Sequence, residues 1–434
     1  MKLLTSLVTL CTIQSVISSY CFWNTGCPYK YFSNKTPYNS VRGDIRDSVI
    51  KLTGCEPVSI WAIVRHGQRN PGPDFGKYMK DALVVSDYLM SAYEKGKSSL
   101  CAQDIENLRN WPINKDLFDR PFQLTKEGFL ESEGIGRRLK QAFPKLLGKL
   151  ESNDYLFRSA AEAWMAESAK GFIQGISSKP LTMQPPRPDY DILAPYEKCA
   201  KYLKEVRNNP ETFAASIKYQ SSSEYLASKD RVQRRLGIDY PLQARNITAL
   251  YDLCRYTSSG MTNTFSPWCA LFTTEDLKVM EYVADLRHYY KSGYGTPMNE
   301  LFGQITLTDL LKSFQEAKSG KGRKITGYVS HATMMDMIHT ALKLFKDDAP
   351  LSSSKRKLDR KWRSSKLAIF SANVIAVLNK CNNGPDDYNV VFYLNEEPLQ
   401  SICREGVCTW KEFEDKLTPF LNTNTDFCNV TSSS

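Results

Sequence analysis

The stretch WAIVRHGQRNPGPD runs from Trp61 to Asp74. Its first half continues an apolar run from Val58, of strand length, and its second half breaks into glycine and proline. Val58 to Val64 therefore reads as a buried strand that ends in a sharp turn. At that turn stand Arg65, His66 and, four residues after the first arginine, Arg69. Two guanidinium groups beside an imidazole at a strand end are suited to holding an anion next to a nucleophile.

Four further apolar runs resemble the first. DYLF (Asp154 to Phe157) ends at Arg158-Ser159, and ITGYVS (Ile325 to Ser330) ends at His331. LAIFSANVIAVL (Leu367 to Leu378) and YNVVFYL (Tyr388 to Leu394) complete a set of about five strands. Helical patterns lie between them. Thr125 can cap a helix striped by Ile135, Leu139 and Phe143. Ser159 can cap the next, placing Trp164 on its second turn, and Met334, Ile338, Leu342 and Phe345 stripe a third. This alternation predicts an α/β fold with a mainly parallel sheet covered by helices on both faces. Ligands of such sheets sit at the carboxyl ends of the strands, where Arg-His, Arg-Ser and His fall. The stretch from Lys179 to Tyr282 has no clear strand and reads as an inserted helical cap. The expected division is a leader at 1–19, an α/β core at 20–75, 120–180 and 285–434, and a helical cap at 76–119 and 181–284.

The chain has 434 residues, 42% of them hydrophobic, which is ample for a large core. MKLLTSLVTLCTIQSVISSYC opens with Lys2, an apolar stretch too short to span a bilayer, and small residues at Ser18 and Ser19. It reads as a secretory signal cleaved near Ser18 to Tyr20, and the expected location is extracellular. No later segment reads as a membrane span or a lipid-anchor signal. Of twelve cysteines, Cys11 lies in the leader, and the eleven that remain leave at least one unpaired within the chain. Without a C-x-x-C pair, and with four histidines, the sequence offers no zinc pattern; neither metal nor cofactor is expected. Sequons stand at Asn34, Asn246 and Asn429. Much of the formal charge of +10 comes from KRKLDRKWRSSK (Lys355 to Lys366), seven basic residues and one acid. That run reads either as a solvated loop or as a patch for acidic glycans. Nucleic acid is excluded as a partner by export and by the lack of any recognition motif.

RHGQRNP (Arg65 to Pro71) resembles the R-H-G-x-R-x-P signature of the histidine acid phosphatases. Within that family, SPWCALFTTEDLKVMEYVADLRHYYKSGYG (Ser266 to Gly295), LTKEGFLESEGIGRRL and CREGVCTWKEF are similar to stretches of the multiple inositol polyphosphate phosphatases. The likeness runs from about Cys21 to Cys428. It implies an α/β core with a helical cap, and disulfides Cys254–Cys269 and Cys403–Cys408. It also implies that His66 is the nucleophile forming a phosphohistidine, that Arg65 and Arg69 hold phosphate oxygens, and that His331 adds a donor. His288 and His339 match no catalytic position and read as structural.

Two departures accompany the likeness. RSAAEAWMAESA keeps Arg158, Ser159, Ser168 and Ala169, but Trp164 stands where the family has a third phosphate-binding arginine. In HATMMD, Thr333 stands where this branch has the glutamate that protonates the leaving alkoxide. Indole carries no charge, and a threonine hydroxyl is no acid near neutral pH. Losing the acid costs roughly 10²–10⁴-fold, and losing a charge clamp about 10²–10³-fold. Asp336 and Asp74 are candidates to replace the acid.

Three functions follow. The favoured one is a secreted, catalytically inactive phosphatase fold whose former active site, with Arg65, Arg69, Arg158 and Trp164, binds small molecules. The secreted acid phosphatase-like proteins of flea saliva, which bind biogenic amines and leukotrienes, are similar in this respect. The alternative is a phosphomonoesterase acting on inositol polyphosphates or other phosphate esters. The third is a surface-binding protein that uses Lys355 to Lys366.

Overall fold

Strand β1 (Cys55–Arg65) is fully buried from Ile60 to Val64, which requires neighbours on both edges and both faces. The computed structural model supplies them; it describes residues 21, 28–187, 191–258, 266–382, 384 and 387–429. The expected leader and Cys27 lie outside the described residues. The other strands are β2 (Tyr155–Ser159), β3 (Ile325–Ser330), β4 (Asn373–Cys381), β5 (Tyr388–Leu394), β6 (Glu397–Pro398) and β7 (Val407–Thr409). They form one sheet in the order β2-β3-β1-β4-β5-β6, with β7 also paired to β5.

The α/β class holds, but the sheet is mixed rather than mainly parallel. β2, β3 and β1 run parallel, whereas β4 is antiparallel to β1, β5 to β4, and β6 and β7 to β5. The link from β4 to β5, residues 382–387, is too short for the crossover that a parallel pair needs. Two strand limits also move. Leu367 ends a short helical turn (Ser364–Leu367), so the apolar run of 367–378 is strand only from Asn373. Ser159 does not cap a helix: it still pairs with Val329 in the sheet, and the next helix spans Ala163–Ile176, with Trp164 in its first turn.

The helix Lys126–Ala142 begins where the sequence indicates, with the Thr125 hydroxyl accepting from the Gly128 amide. Its Ile135 and Leu139 are fully buried against the sheet core. The striped segment after His331 is helical over Ala332–Ala341; Leu342 ends it, and Phe345 follows with a left-handed backbone. A second hydrophobic cluster gathers Met79, Leu89 and Ile105 with Leu250, Trp268 and Leu286, closed by Trp362 and Phe370. No strand occurs among the described residues from 179 to 282. No described helix is long and apolar enough to cross a membrane.

The basic run 355–366 is not a solvated loop. Arg356 pairs with Glu224 and Glu275, Arg360 with Glu281 and Asp285, and Arg363 with Glu281. Arg356, Arg360 and Trp362 are buried, while the lysines, Leu358 and Asp359 face solvent. The run is a strap pinned to the acidic side of the helix Thr274–Ser292.

Among the described residues five disulfides close the frame: Cys21–Cys101, Cys55–Cys381, Cys199–Cys428, Cys254–Cys269 and Cys403–Cys408. Non-reducing peptide mapping should recover the last two as separate short loops. Removing Cys254–Cys269 by paired serine substitution should cost about 3 kcal/mol of stability. Finding these four cysteines reduced or exchanged would contradict the connectivity.

Candidate active site

The parallel register sets Arg65 opposite Ser330, so the residues that follow, His66 and His331, emerge side by side. The His66 amide donates to the Ser330 carbonyl at 3.0 Å, and the two imidazoles stand 6.3 Å apart, edge to face. Because β4 is antiparallel, its leading loop enters at the same edge: the Arg65 amide bonds Ala372 O, the Ser371 amide bonds His66 O, and the Phe370 ring lies 6.0 Å from His66. The turn after His66 rests on the start of the Lys126–Ala142 helix. A Cβ on Gly67 would fall 2.0 Å from Gly128 O, and one on Gly128 would fall 2.1 Å from Gln68 O, so both positions require glycine. Ser168 secures the turn from the other side, accepting from the Gly67 amide and donating to Trp164 O.

His66 is buried, with Nδ1 at 2.8 Å from Gly67 O. A carbonyl only accepts, so Nδ1 carries the proton and Nε2 keeps its lone pair. Burial, with Arg65 and Arg69 nearby, holds the imidazole well below its usual range and therefore neutral. Arg65 is buried too; its Nη1 donates to the carbonyls of Asn34 and Ala368, and its guanidinium lies 4.6 Å from the Phe370 ring centre. Arg69 donates to Asn70 O and faces the rings of Phe122 and Trp164 at 5.1 and 5.3 Å. Lys35, which no sequence pattern marks, completes the group: its Nζ lies 5.3 Å from both Tyr256 and Phe370. Burial pushes Lys35, Arg65 and Arg69 all downward, and repulsion from neighbouring guanidinium groups adds to it at Lys35 and Arg65. None of the three forms an ion pair among the described residues. The Nε atoms of Arg65 and Arg69, Nε1 of Trp164 and Nε2 of His331 are buried without a hydrogen-bond partner.

The remaining sequence-derived residues divide sharply. Trp164 joins the group, stacked on Phe122 with centroids 5.0 Å apart and planes at 20°. Thr333 sits half-buried in the first turn after His331, with no carboxylate at its position. Arg158 is not brought in: its Nη2 is committed to buried Asp191 at 2.9 Å, and Arg158 is structural. Asp336 is buried with Oδ2 held by His288 and Ser292, each at 2.7 Å. Asp74 is exposed on the helix Pro73–Ala82. His339 is buried against Leu367 O. The carboxylate that does reach the site is Glu162, whose Oε1 lies 3.1 Å from His331 Nε2, though off the line of a hydrogen bond. Sequence reasoning missed it because, with Ser159 read as the cap, Glu162 falls in the first turn of the expected helix, an ordinary place for an acid. Asn34, Asn246 and Asn429 are half-buried, half-buried and exposed in turn. Two surface clefts of about 550 and 560 Å³, one lined by Arg42, Asp44 and Asp47 and the other by Asp230, Arg234 and Asp239, hold no comparable grouping.

Residues 59–395 match the model of the histidine phosphatase superfamily (branch 2). The chain belongs to this family. It is 30% identical to multiple inositol polyphosphate phosphatase 1 of Drosophila melanogaster over 400 residues, covering 89% of this chain and 84% of that one. The human protein of the same name is 25% identical, covering 90% and 86%. Among solved structures, the phytase from D. castellii superposes with a TM-score of 0.72 at 17% identity, covering 94% of this chain and 89% of its own. The Bifidobacterium longum multiple inositol polyphosphate phosphatase, in complex with inositol hexasulfate, gives 0.68 at 17%, covering 92% and 100%. The histidine phosphatase fold is thus kept.

Beneath the site, buried Glu131 accepts from the amides of Gln68 and Tyr38 and from the Ser371 hydroxyl. It thereby ties together the histidine turn, the segment bearing Lys35 and the loop bearing Phe370. Burial above all, with Glu127, lifts its carboxyl from 4.5 to about 7. Between those values the folded chain holds a proton that the unfolded chain releases, so this group's contribution to stability falls as pH rises through the window. A Glu131→Gln variant lacks the titration. Relative to it, wild type should lose roughly 3 kcal/mol between pH 4 and pH 8 in denaturant unfolding. A constant difference between the two proteins would show that Glu131 does not titrate there.

Proposed function

We propose that this chain is a secreted member of the histidine phosphatase fold that binds small mediators, biogenic amines or leukotrienes, in the former active site and has lost efficient hydrolysis. The observation that carries this reading is the Trp164 stack. An indole lies on Phe122 and beside Arg69 where the family has a third guanidinium, and its Nε1 has no partner. An aromatic face beside unpaired cations suits a ligand with an apolar body and a polar end. A leukotriene carboxylate would meet Arg65, Arg69 and Lys35. The ammonium of an amine would meet Glu162, a role for which exposed Asp74 is not required. With no acid at 333 and Asp336 committed to His288 and Ser292, protonation of a leaving alkoxide has no evident source of family type.

A second reading, phosphomonoester hydrolysis, is favoured by His66, whose Nδ1–Gly67 bond leaves Nε2 free to attack phosphorus. Phosphate release from inositol hexakisphosphate and from an aryl phosphate separates the two, because the activated aryl leaving group needs little help from an acid. Turnover should stay well below about 1 s⁻¹ on both, and titration calorimetry should detect binding of an aromatic amine or a carboxylate lipid. Arg69→Ala should weaken the lipid by about 1–3 kcal/mol and leave an amine unaffected. Ordinary turnover, or no binding of either class, would refute the proposal. On the second reading, Trp164→Arg with Thr333→Glu should raise the rate.

A further inference from the structure

We propose that Glu162 selects the charge of the ligand by keeping phosphoryl dianions away from His331. The inference rests on the reading of the site as one that binds rather than hydrolyses. Glu162 immediately precedes the helix Ala163–Ile176, where an acidic side chain ordinarily turns back to cap the first amides. It makes no such cap. Its carboxylate reaches across to His331 instead, 3.1 Å away, with the side chain about one-third exposed. Its negative charge is felt by Arg69, which it helps to keep protonated. Burial works to raise the carboxyl, but the contact with His331 outweighs it and leaves the group below its ordinary range, hence ionised near neutrality.

This placement divides the site by sign. On one side Lys35, Arg65 and Arg69 lack acidic partners; on the other, the donor that His331 would offer to a phosphate oxygen is faced by a carboxylate. A dianion bridging His66 and His331 would stand within a few ångströms of Glu162, where screening by solvent is incomplete and like charges repel strongly. A ligand that is neutral or cationic toward His331 meets no such repulsion. Trp164 in the first helical turn brings no positive charge, and Glu162 just before that turn brings a negative one. The accepted ligands are therefore those without a phosphate group, carrying at most one carboxylate directed to the arginine side.

Inorganic phosphate is the probe, titrated calorimetrically at pH 7 into the full mature chain. Glu162→Gln and Glu162→Ala should each bind phosphate about ten-fold or more tightly than wild type. Glu162→Asp, which keeps the charge, should not. Adding Arg69→Ala to Glu162→Gln should abolish the gain and so locate the bound phosphate at the site. Wild type binding phosphate as tightly as both neutral variants, or a gain that survives Arg69→Ala, would overturn the proposal. Amine and lipid titrations of wild type judge the underlying reading separately: their failure beside a phosphate gain in Glu162→Gln would sink the mediator proposal and leave the charge gate standing.

Discussion

Burying Arg65 without a counter-ion is the constraint on which the rest of the structure depends. A guanidinium withdrawn from water needs compensation, and no carboxylate pairs with it here. The carbonyls of Asn34 and Ala368 and the face of Phe370 supply that compensation. These groups come from segments far apart in the chain, one before β1 and one before β4. Each must be held to a fraction of an ångström, so their anchoring becomes part of the site. Glu131 ties both to the histidine turn, and Tyr38 extends the tie through Glu396, Arg138 and Asn373. The strap 355–366 adds a further set of anchors, because its ion pairs to the Thr274–Ser292 helix lead directly into the short helical turn that ends at Leu367, next to Ala368.

What the sequence made legible was the part governed by local pattern. β1, β3 and β5 are continuous apolar runs, Thr125 caps its helix, and the histidines at two strand ends meet because parallel strands share a carboxyl edge. What stayed hidden depended on side chains choosing between partners. Arg158 looks like a ligand-binding residue beside Ser159, yet it is consumed by Asp191, thirty-three positions away. The run 355–366 looks solvated because its counter-charges lie on other elements. Lys35 occupies the site through the tertiary placement of a segment without any catalytic motif, and Glu162 falls inside the helix that Ser159 is expected to cap. Sheet direction failed for a related reason: apolar runs carry no sign of strand polarity, and only the short 382–387 link shows that β5 must return alongside β4.

The family likeness and the site chemistry carry different information. Shared fold brings the strand ends bearing Arg65, His66 and His331 together, and the Gly67–Gly128 contact and the Ser168 bridge hold the turn after His66. Function lives in the few atoms that a ligand would touch, and here those atoms include an indole and a carboxylate beside the cations. A phosphatase site accepts the cost of buried cations because phosphate repays it in the bound state. In this chain the cost is present in Lys35, Arg65 and Arg69, all pushed downward, while an indole stacks on Phe122 beside Arg69 and the Glu162 carboxylate faces His331.

Retention of unpaired cations argues against a site decaying by neutral drift. Arg69 and Lys35 repel each other, a cost that a bound anionic group would offset. Their presence, alongside partnerless nitrogens on Arg65, Arg69 and Trp164, is what a site under selection for a ligand with an anionic or hydrogen-bonding end would keep. Trp164 and Glu162 lie two residues apart at the start of one helix, a position fixed by β2 and by the Ser168 bond to Trp164 O. Substitutions there alter the ligand-facing surface without disturbing the buried support beneath it. That separation between a rigid cationic floor and a helical rim lets the ligand-facing surface vary while the fold beneath it is kept.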